Sequence, residues 1–245
     1  MKQGLRVLTL NIAHGRGLST YQGFHSARGM ERSLIRVAHL LNEVDADIVA
    51  LQEVDEDSHW NRGIHLLDFL QEITPYQHAY LGVHNRRTGR LPLAYGNGLL
   101  SKFPFRHVEH EAFGGASLGE KGFVYAELEL PGGILPLINL HLDFRSRSRR
   151  IAQIERLIVF LEKKQQTADG RAHLAPLVCG DFNSRAGRAG DAVRHLFRYL
   201  QENRAYQLLP QGRRTGTFPS LLPVHGLDFV FVPLTYKILS SQVLR

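Results

Sequence analysis

Short apolar runs alternate along this chain with longer stretches in which apolar residues recur at helical spacing. Runs over residues 6–12, 47–52, 98–101, 124–130, 135–142, 175–180 and 227–232 have the length and the β-branched content of strands. Helical spacing marks 28–43, with Leu34, Val37 and Leu41 on one face, 64–73, 151–164, with Ile154, Leu157, Ile158 and Leu161, and 189–201. Pro131-Gly132-Gly133 forms a tight turn between two strands, and 84–95, 109–122 and 204–226 read as loops.

Hairpins mixed with crossover helices around many buried strands predict a four-layer α/β sandwich, two packed mixed sheets with helices outside. A doubly wound single sheet needs a more regular strand–helix alternation and a glycine-rich first turn. Asn11-Ile12-Ala13-His14-Gly15-Arg16-Gly17 is not that turn. With 245 residues, 43% of them hydrophobic, and no linker-like stretch, one domain over 1–245 is expected.

The single cysteine, Cys179, excludes an internal disulfide and suits a reducing compartment. The first residues lack the apolar core and cleavage site of a signal peptide. No apolar run reaches the roughly 20 residues that a membrane span requires. A soluble, cytoplasmic, monomeric protein is expected. The net charge of +7 and a pI near 9.7 favour anionic partners, and the excess of Arg favours phosphate, which Arg grips bidentately. Compositional bias of the source genome explains the same charge equally well, so the chemistry must come from particular residues.

Those residues repeat one device, an apolar strand that ends in a carboxylate, amide or imidazole. Val7–Leu10 leads to Asn11, and Ile48–Leu51 leads to Gln52-Glu53. Leu137–Asp143 alternates, with Asn139, His141 and Asp143 on one face. Leu174–Cys179 ends in Gly180-Asp181-Phe182-Asn183, and Asp228 opens the last apolar strand. Any one of these has an ordinary explanation as a turn or cap residue. Together they place several hard ligands on one rim, where loops build active sites. Oxygen donors from Glu53 and Asn11 suit Mg²⁺, while a lone cysteine excludes thiolate-rich zinc binding. Of the 13 histidines, His14, His65, His78, His107 and His195 have no supporting context and are assigned no role.

The combination resembles the endonuclease/exonuclease/phosphatase superfamily, in its DNase I-like and neutral sphingomyelinase-like branches. The matching segments are Leu8–Ile12, Asp47–Val54, Gly96–Pro104, Asn139–Asp143, Gly180–Asn183 and Thr217–Ser220 through Leu227–Phe231. The resemblance implies hydrolysis of a phosphate ester assisted by Mg²⁺, with Mn²⁺ as a substitute. It makes Glu53 the principal metal ligand, helped by Asn11, and gives Asp181 the attacking water. It implies that His141 and Asn183 hold phosphate oxygens, and that Asp228 orients a histidine from a terminal Ser-Asp-His motif. Asn97, in the Gly96–Pro104 segment, is a further phosphate contact on this reading.

Two features depart from the pattern. Ala13 stands where some members carry a metal-reaching carboxylate. The terminal Ser-Asp-His is absent: 236–244 resembles the strand leading into it, and the chain stops at Arg245. A last strand lost by truncation is the expectation drawn from this, because its absence would leave an open sheet edge. Arg145-Ser146-Arg147-Ser148-Arg149-Arg150 places cations at a predicted helix start, against the helix dipole, which points to a substrate rim with Arg145 and Arg149 in contact. Arg86-Arg87 and Arg213-Arg214 are candidates for the same rim. The expected activity is a phosphodiesterase acting on nucleic acid or a phospholipid headgroup. The alternative is a metal- and phosphate-binding module impaired by the absent histidine.

Overall fold

The structure is a computed structural model that describes residues 4–17, 26–114, 119–167, 174–203, 205–211, 215–218 and 224–244. Among the described residues, ten strands and four α-helices follow one another as β1 (Val7–Asn11), α1 (Ala27–Val44), β2 (Ile48–Asp55), α2 (Leu66–Glu72), β3 (His78–Arg87), β4 (Leu93–Ser101), β5 (Phe105–Ala112), β6 (Gly122–Leu130), β7 (Gly133–His141), α3 (Arg147–Thr167), β8 (Leu177–Asp181), α4 (Ala192–Asn203), β9 (Tyr206–Leu209) and β10 (Asp228–Pro233). They form a four-stranded sheet in the order β1-β2-β4-β3 and a six-stranded sheet in the order β5-β6-β7-β8-β10-β9. Both are mixed, with β1–β2 and β7–β8 parallel and their other neighbours antiparallel.

Three apolar clusters account for the layering. Met30, Leu34 and Leu41 of α1 and Leu66, Leu67 and Leu70 of α2 pack on Val49, Leu51 and Leu100 of the smaller sheet. Ile154, Leu157 and Leu161 of α3 and Val193, Leu196 and Leu200 of α4 cover Ile138, Val178 and Phe231 of the larger sheet. Between the sheets, Ile48, Ala50 and Leu99 meet Val124, Leu137 and Cys179. This is the four-layer sandwich that the alternation of patterns predicts.

Three loop assignments are corrected. Most of 84–95 belongs to the β3–β4 hairpin, and β5 and β9 lie within or across the loops expected at 109–122 and 204–226. Residues 236–244, expected as the strand leading into the terminal motif, form no strand. They run along a groove that β1, one edge of the smaller sheet, also lines. No helix among the described residues is long and apolar enough to cross a membrane.

A polar seam crosses the apolar layer between the sheets. Asn139 of β7, fully buried, donates to the carbonyls of Leu51 and Gly98 on the other sheet, both at 2.9 Å. Its oxygen accepts from Gln52 Nε2 at 2.7 Å. This seam fixes how the two sheets, and so the two halves of the groove, sit against each other.

Candidate active site

The strand ends converge as the sequence requires, and local backbone explains how. The β2–β4 register shifts between Leu51 and Val54, and inside this bulge Glu53 adopts φ 55°. A bulge re-aims a side chain that regular pleating would place elsewhere. Ala13 (φ 49°), His14 (φ 57°) and Asn183 (φ 47°) also occupy the left-handed region, beside the same groove. Such conformations cost of order 1–3 kcal/mol each and gather at functional sites. Gly180 answers a different constraint: at φ 137°, a Cβ there would lie 1.9 Å from the Leu140 carbonyl oxygen. Only glycine lets β8 lie this close to β7 immediately before Asp181.

Asn11, Glu53, His141, Asp181, Asn183 and Asp228 all line one groove of about 2360 Å³. Asn11 Nδ2 donates to Asp181 Oδ2 at 3.1 Å, while its oxygen accepts from the Ala13 N–H at 2.9 Å. Asp181 Oδ1 accepts from the Asn183 N–H at 2.9 Å. Asn183 Nδ2 lies 3.1 Å from His141 Nε2, and that nitrogen stands 3.9 Å from Glu53 Oε1 and 3.7 Å from Asp181 Oδ2. Asp228 faces Asp181 across the β8–β10 ladder, and its buried Oδ1 has no hydrogen-bond partner.

Two residues that sequence reasoning left without a role belong to this cluster. Lys121, buried just before β6 in a segment read as loop, places Nζ 3.4 Å from Glu53 Oε1 and 3.2 Å from His141 Nδ1. His14, 5% exposed, holds Asp55 with Nδ1 at 2.8 Å and faces Glu53 Oε2 with Nε2 at 3.7 Å. The available signal was proximity in sequence alone: His14 follows Asn11 by a single turn, and Lys121 directly precedes the strand paired with Asn139 and His141.

Electrostatics polarise the cluster. Burial raises the Glu53 carboxyl, but His14, Lys121, His141 and Arg16, the imidazoles acting in their protonated forms, outweigh it and hold the group at about 2. Burial, reinforced by Lys121, pushes His141 well below the ordinary histidine range, with Glu53 opposing. Burial and the facing Asp228 charge push Asp181 up, with the Asn11 amide opposing, and burial pushes Asp228 up as well. The pair is therefore short of compensating positive charge, while Glu53 stays ionised.

Three expectations about the rim change. Asn97, expected at phosphate, is 1% exposed, and its amide nitrogen donates to the carbonyls of Gly122 and Asn139. It joins the seam between the sheets. In the arginine run, Arg145 lines the groove, with its guanidinium 4.9 Å from the Phe144 ring centroid, and Arg149 leans on Asp143 at 3.7 Å. Arg150 is instead buried in a bidentate pair with Asp191 at 2.7 and 3.0 Å, so part of the run is structural. Arg86 pairs with Glu56, and Arg87 donates to the Leu91 carbonyl. Residues 213 and 214 lie outside the described residues.

The chain matches the model of the Endonuclease/Exonuclease/phosphatase family over residues 8–245. It belongs to that family. Escherichia coli K12 protein YbhP, itself uncharacterized, is 27% identical over 240 residues, which cover 93% of this chain and 84% of YbhP. Two solved structures share the fold. Sphingomyelinase C from Streptomyces griseocarneus has 19% identity and a TM-score of 0.64, over 96% of this chain and 85% of that one. A mannosyl-6-phosphatase from Bacteroides thetaiotaomicron has 16% identity and a TM-score of 0.65, over 95% and 86%. The family's name covers nucleases and phosphatases, and the two neighbours are named as a sphingomyelinase and a phosphatase.

The donor set fits the divalent cation on which the family generally depends. Glu53 and Asn11 offer hard oxygens, and the partnerless Asp228 Oδ1 beside Asp181 marks uncompensated negative charge. Among the described residues, no three His, Cys, Asp or Glu side chains form a ready-made cation cage. An ion here would complete its shell with water and substrate, as Mg²⁺ commonly does.

One pH effect lies next to this site. His84, buried behind Glu53 and Lys121 with neither ring nitrogen hydrogen-bonded, is lowered from 6.5 to about 3 by burial, with smaller effects from His110 and Lys121. The unfolded chain then binds the proton that the folded chain refuses. Stability is full above pH 6.5 and is lost as pH falls toward 3, by about 2 kcal/mol between pH 7 and pH 5. Urea midpoints of wild type and His84→Phe at the two pH values should show this fall in the first and a shallower one in the second.

Proposed function

We propose that this chain is a Mg²⁺-dependent phosphodiesterase, with Mn²⁺ as a substitute, acting on nucleic acid or a phospholipid headgroup. The observation that carries the reading is the cluster itself: an ionised carboxylate at Glu53, ringed by Lys121, His141 and His14, opposite the buried Asp181 and the half-buried Asp228 that faces it. Glu53 and Asn11 would hold the cation. When bound, such an ion neutralises charge developing on the phosphate and makes water a better nucleophile.

The remaining roles belong to the chain's own groups. Asp181, kept basic enough to accept a proton by its burial beside Asp228, orients the attacking water. Asn183 and the neutral His141 stand side by side at the groove, and each is placed to donate to a phosphate oxygen once substrate replaces their mutual contact. Lys121 adds a fixed positive charge on the same side. Asp228 retains a free acceptor oxygen for a proton-carrying partner. Arg16, Arg145, Arg185 and Arg188, which line the groove, suit a substrate with further phosphates.

Hydrolysis of bis(p-nitrophenyl) phosphate tests the reading. Turnover that appears with Mg²⁺ or Mn²⁺ and disappears with chelator is expected. Cation binding without turnover would leave only the impaired-module reading. Plasmid DNA, RNA and sphingomyelin in parallel assays divide the nuclease from the lipid branch.

A further inference from the structure

We propose that His14 supplies a nitrogen ligand to the cation held by Glu53, so that the site is a mixed nitrogen–oxygen centre that accepts Mn²⁺ more readily than an all-oxygen site would. The inference rests on the metal-dependent reading above and assigns a residue that neither composition nor motif spacing marks.

Asp55 is fully buried in β2 and accepts from Trp60 Nε1 at 3.0 Å on one oxygen and meets His14 Nδ1 at 2.8 Å on the other. A carboxylate accepts, so Nδ1 is the ring nitrogen that turns its hydrogen toward Asp55, and Nε2 is the nitrogen on the side of Glu53. Trp60 and Tyr95 pack edge-on against the ring, with centroids 5.2 and 4.8 Å away, and remove its rotational freedom. A carboxylate–histidine arrangement of this kind orients ligating imidazoles at metal centres and raises their basicity.

In front of the ring, Nε2 faces Glu53 Oε2, at 3.7 Å. That is too long for a hydrogen bond and too short to admit a water between them. Two ligands at about 2.1 Å on an octahedral ion stand roughly 3 Å apart, a small side-chain adjustment from this separation. His141 is less free, because its two ring nitrogens already face Asn183 Nδ2 and Lys121 Nζ at 3.1 and 3.2 Å. The left-handed backbone at Ala13 and His14 is the local strain that brings the imidazole here, in the turn where Ala13 offers no carboxylate. Replacing an oxygen donor by imidazole moves preference away from Mg²⁺ and toward transition ions.

Pulsed EPR of bound Mn²⁺, together with calorimetric titration of Mn²⁺ and Mg²⁺, tests this on the full chain. Nitrogen modulation from a coordinated imidazole is expected in wild type and in His141→Gln, and not in His14→Gln. His14→Gln should weaken Mn²⁺ binding by about ten- to a hundred-fold while Mg²⁺ binding changes far less. Bound Mn²⁺ without nitrogen modulation in wild type would overturn the assignment and leave the metal-dependent reading standing. Modulation lost in His141→Gln and kept in His14→Gln would overturn it in favour of His141. Absence of Mn²⁺ binding would overturn both. The wild-type and His141→Gln spectra decide the matter even where His14→Gln fails to fold.

Discussion

Glu53→Gln is expected to lower metal-dependent phosphodiester turnover by about three decades or more, while the chain remains folded. Gln keeps the volume and amide-like shape that the β2 bulge accommodates, and it removes only the charge. If the cation contributes several kcal/mol of transition-state stabilisation, each 1.36 kcal/mol lost is a tenfold fall in rate. The substitution also has a pH signature. Glu53 is held at about 2 in the fold against an ordinary value of 4.5, so its ionised form contributes stability that is present above pH 4.5 and lost as pH falls toward 2. The shift corresponds to roughly 3 kcal/mol, which Gln cannot supply. The metal-free variant should therefore melt several degrees below wild type at pH 7 and converge on it near pH 2. Turnover within tenfold of wild type, measured with bis(p-nitrophenyl) phosphate at saturating Mg²⁺, would remove Glu53 from the metal site.

The strand-end device was readable because burial and chemistry leave separate marks on a sequence. Asn11, Glu53, His141, Asp181 and Asn183 each follow an apolar run, and the runs must enter the core, so their ends share a rim. What was not readable depends on long-range contact. Leu93-Ala94-Tyr95-Gly96-Asn97-Gly98 has the glycines of a turn, yet it is a fully buried strand. Gly96 is needed there because a Cβ would meet the Gly82 carbonyl oxygen at 1.8 Å, a constraint set by β3 and invisible locally. β5 is largely exposed and rich in charge, as an edge strand can be, and only Phe105 and Val108 reach the apolar layer, so no alternation betrayed it. Asn97 illustrates the converse error: a polar residue within a family motif proved to serve the seam between sheets. His14 and Lys121 escaped notice because a turn and a loop carry no periodicity from which to infer direction. Their significance comes from Glu53, 39 residues beyond one and 68 before the other, and only the fold joins them.

Asn139→Leu should be the most damaging substitution away from the groove. The residue offers two donors and one acceptor to three buried partners, the carbonyls of Leu51 and Gly98 and the amide of Gln52. Leucine matches its volume and satisfies none of them. Leaving a buried polar group unpaired costs about 1–3 kcal/mol, so three such groups put the loss at several kcal/mol. At about 2–4 °C per kcal/mol for a chain of this size, the melting temperature should fall by 10 °C or more. The apolar gain from leucine cannot offset this, because Asn139 sits in the seam between sheets and its neighbours there, Gln52 and Asn97, are themselves polar. Gln52 is already the weak point of the seam, since its buried Oε1 has no partner. A second consequence separates a seam from an ordinary core position. Glu53 and Asn11 stand on the smaller sheet, and His141, Asp181 and Asn183 on or beside the larger one, so the seam sets the distance between cation and phosphate donors. Below its lowered melting point, Asn139→Leu should lose kcat out of proportion to the fraction unfolded, because a shift of about 1 Å in such a site costs up to about a hundredfold. A melting temperature within 2 °C of wild type would show that apolar packing alone sets the spacing of the sheets.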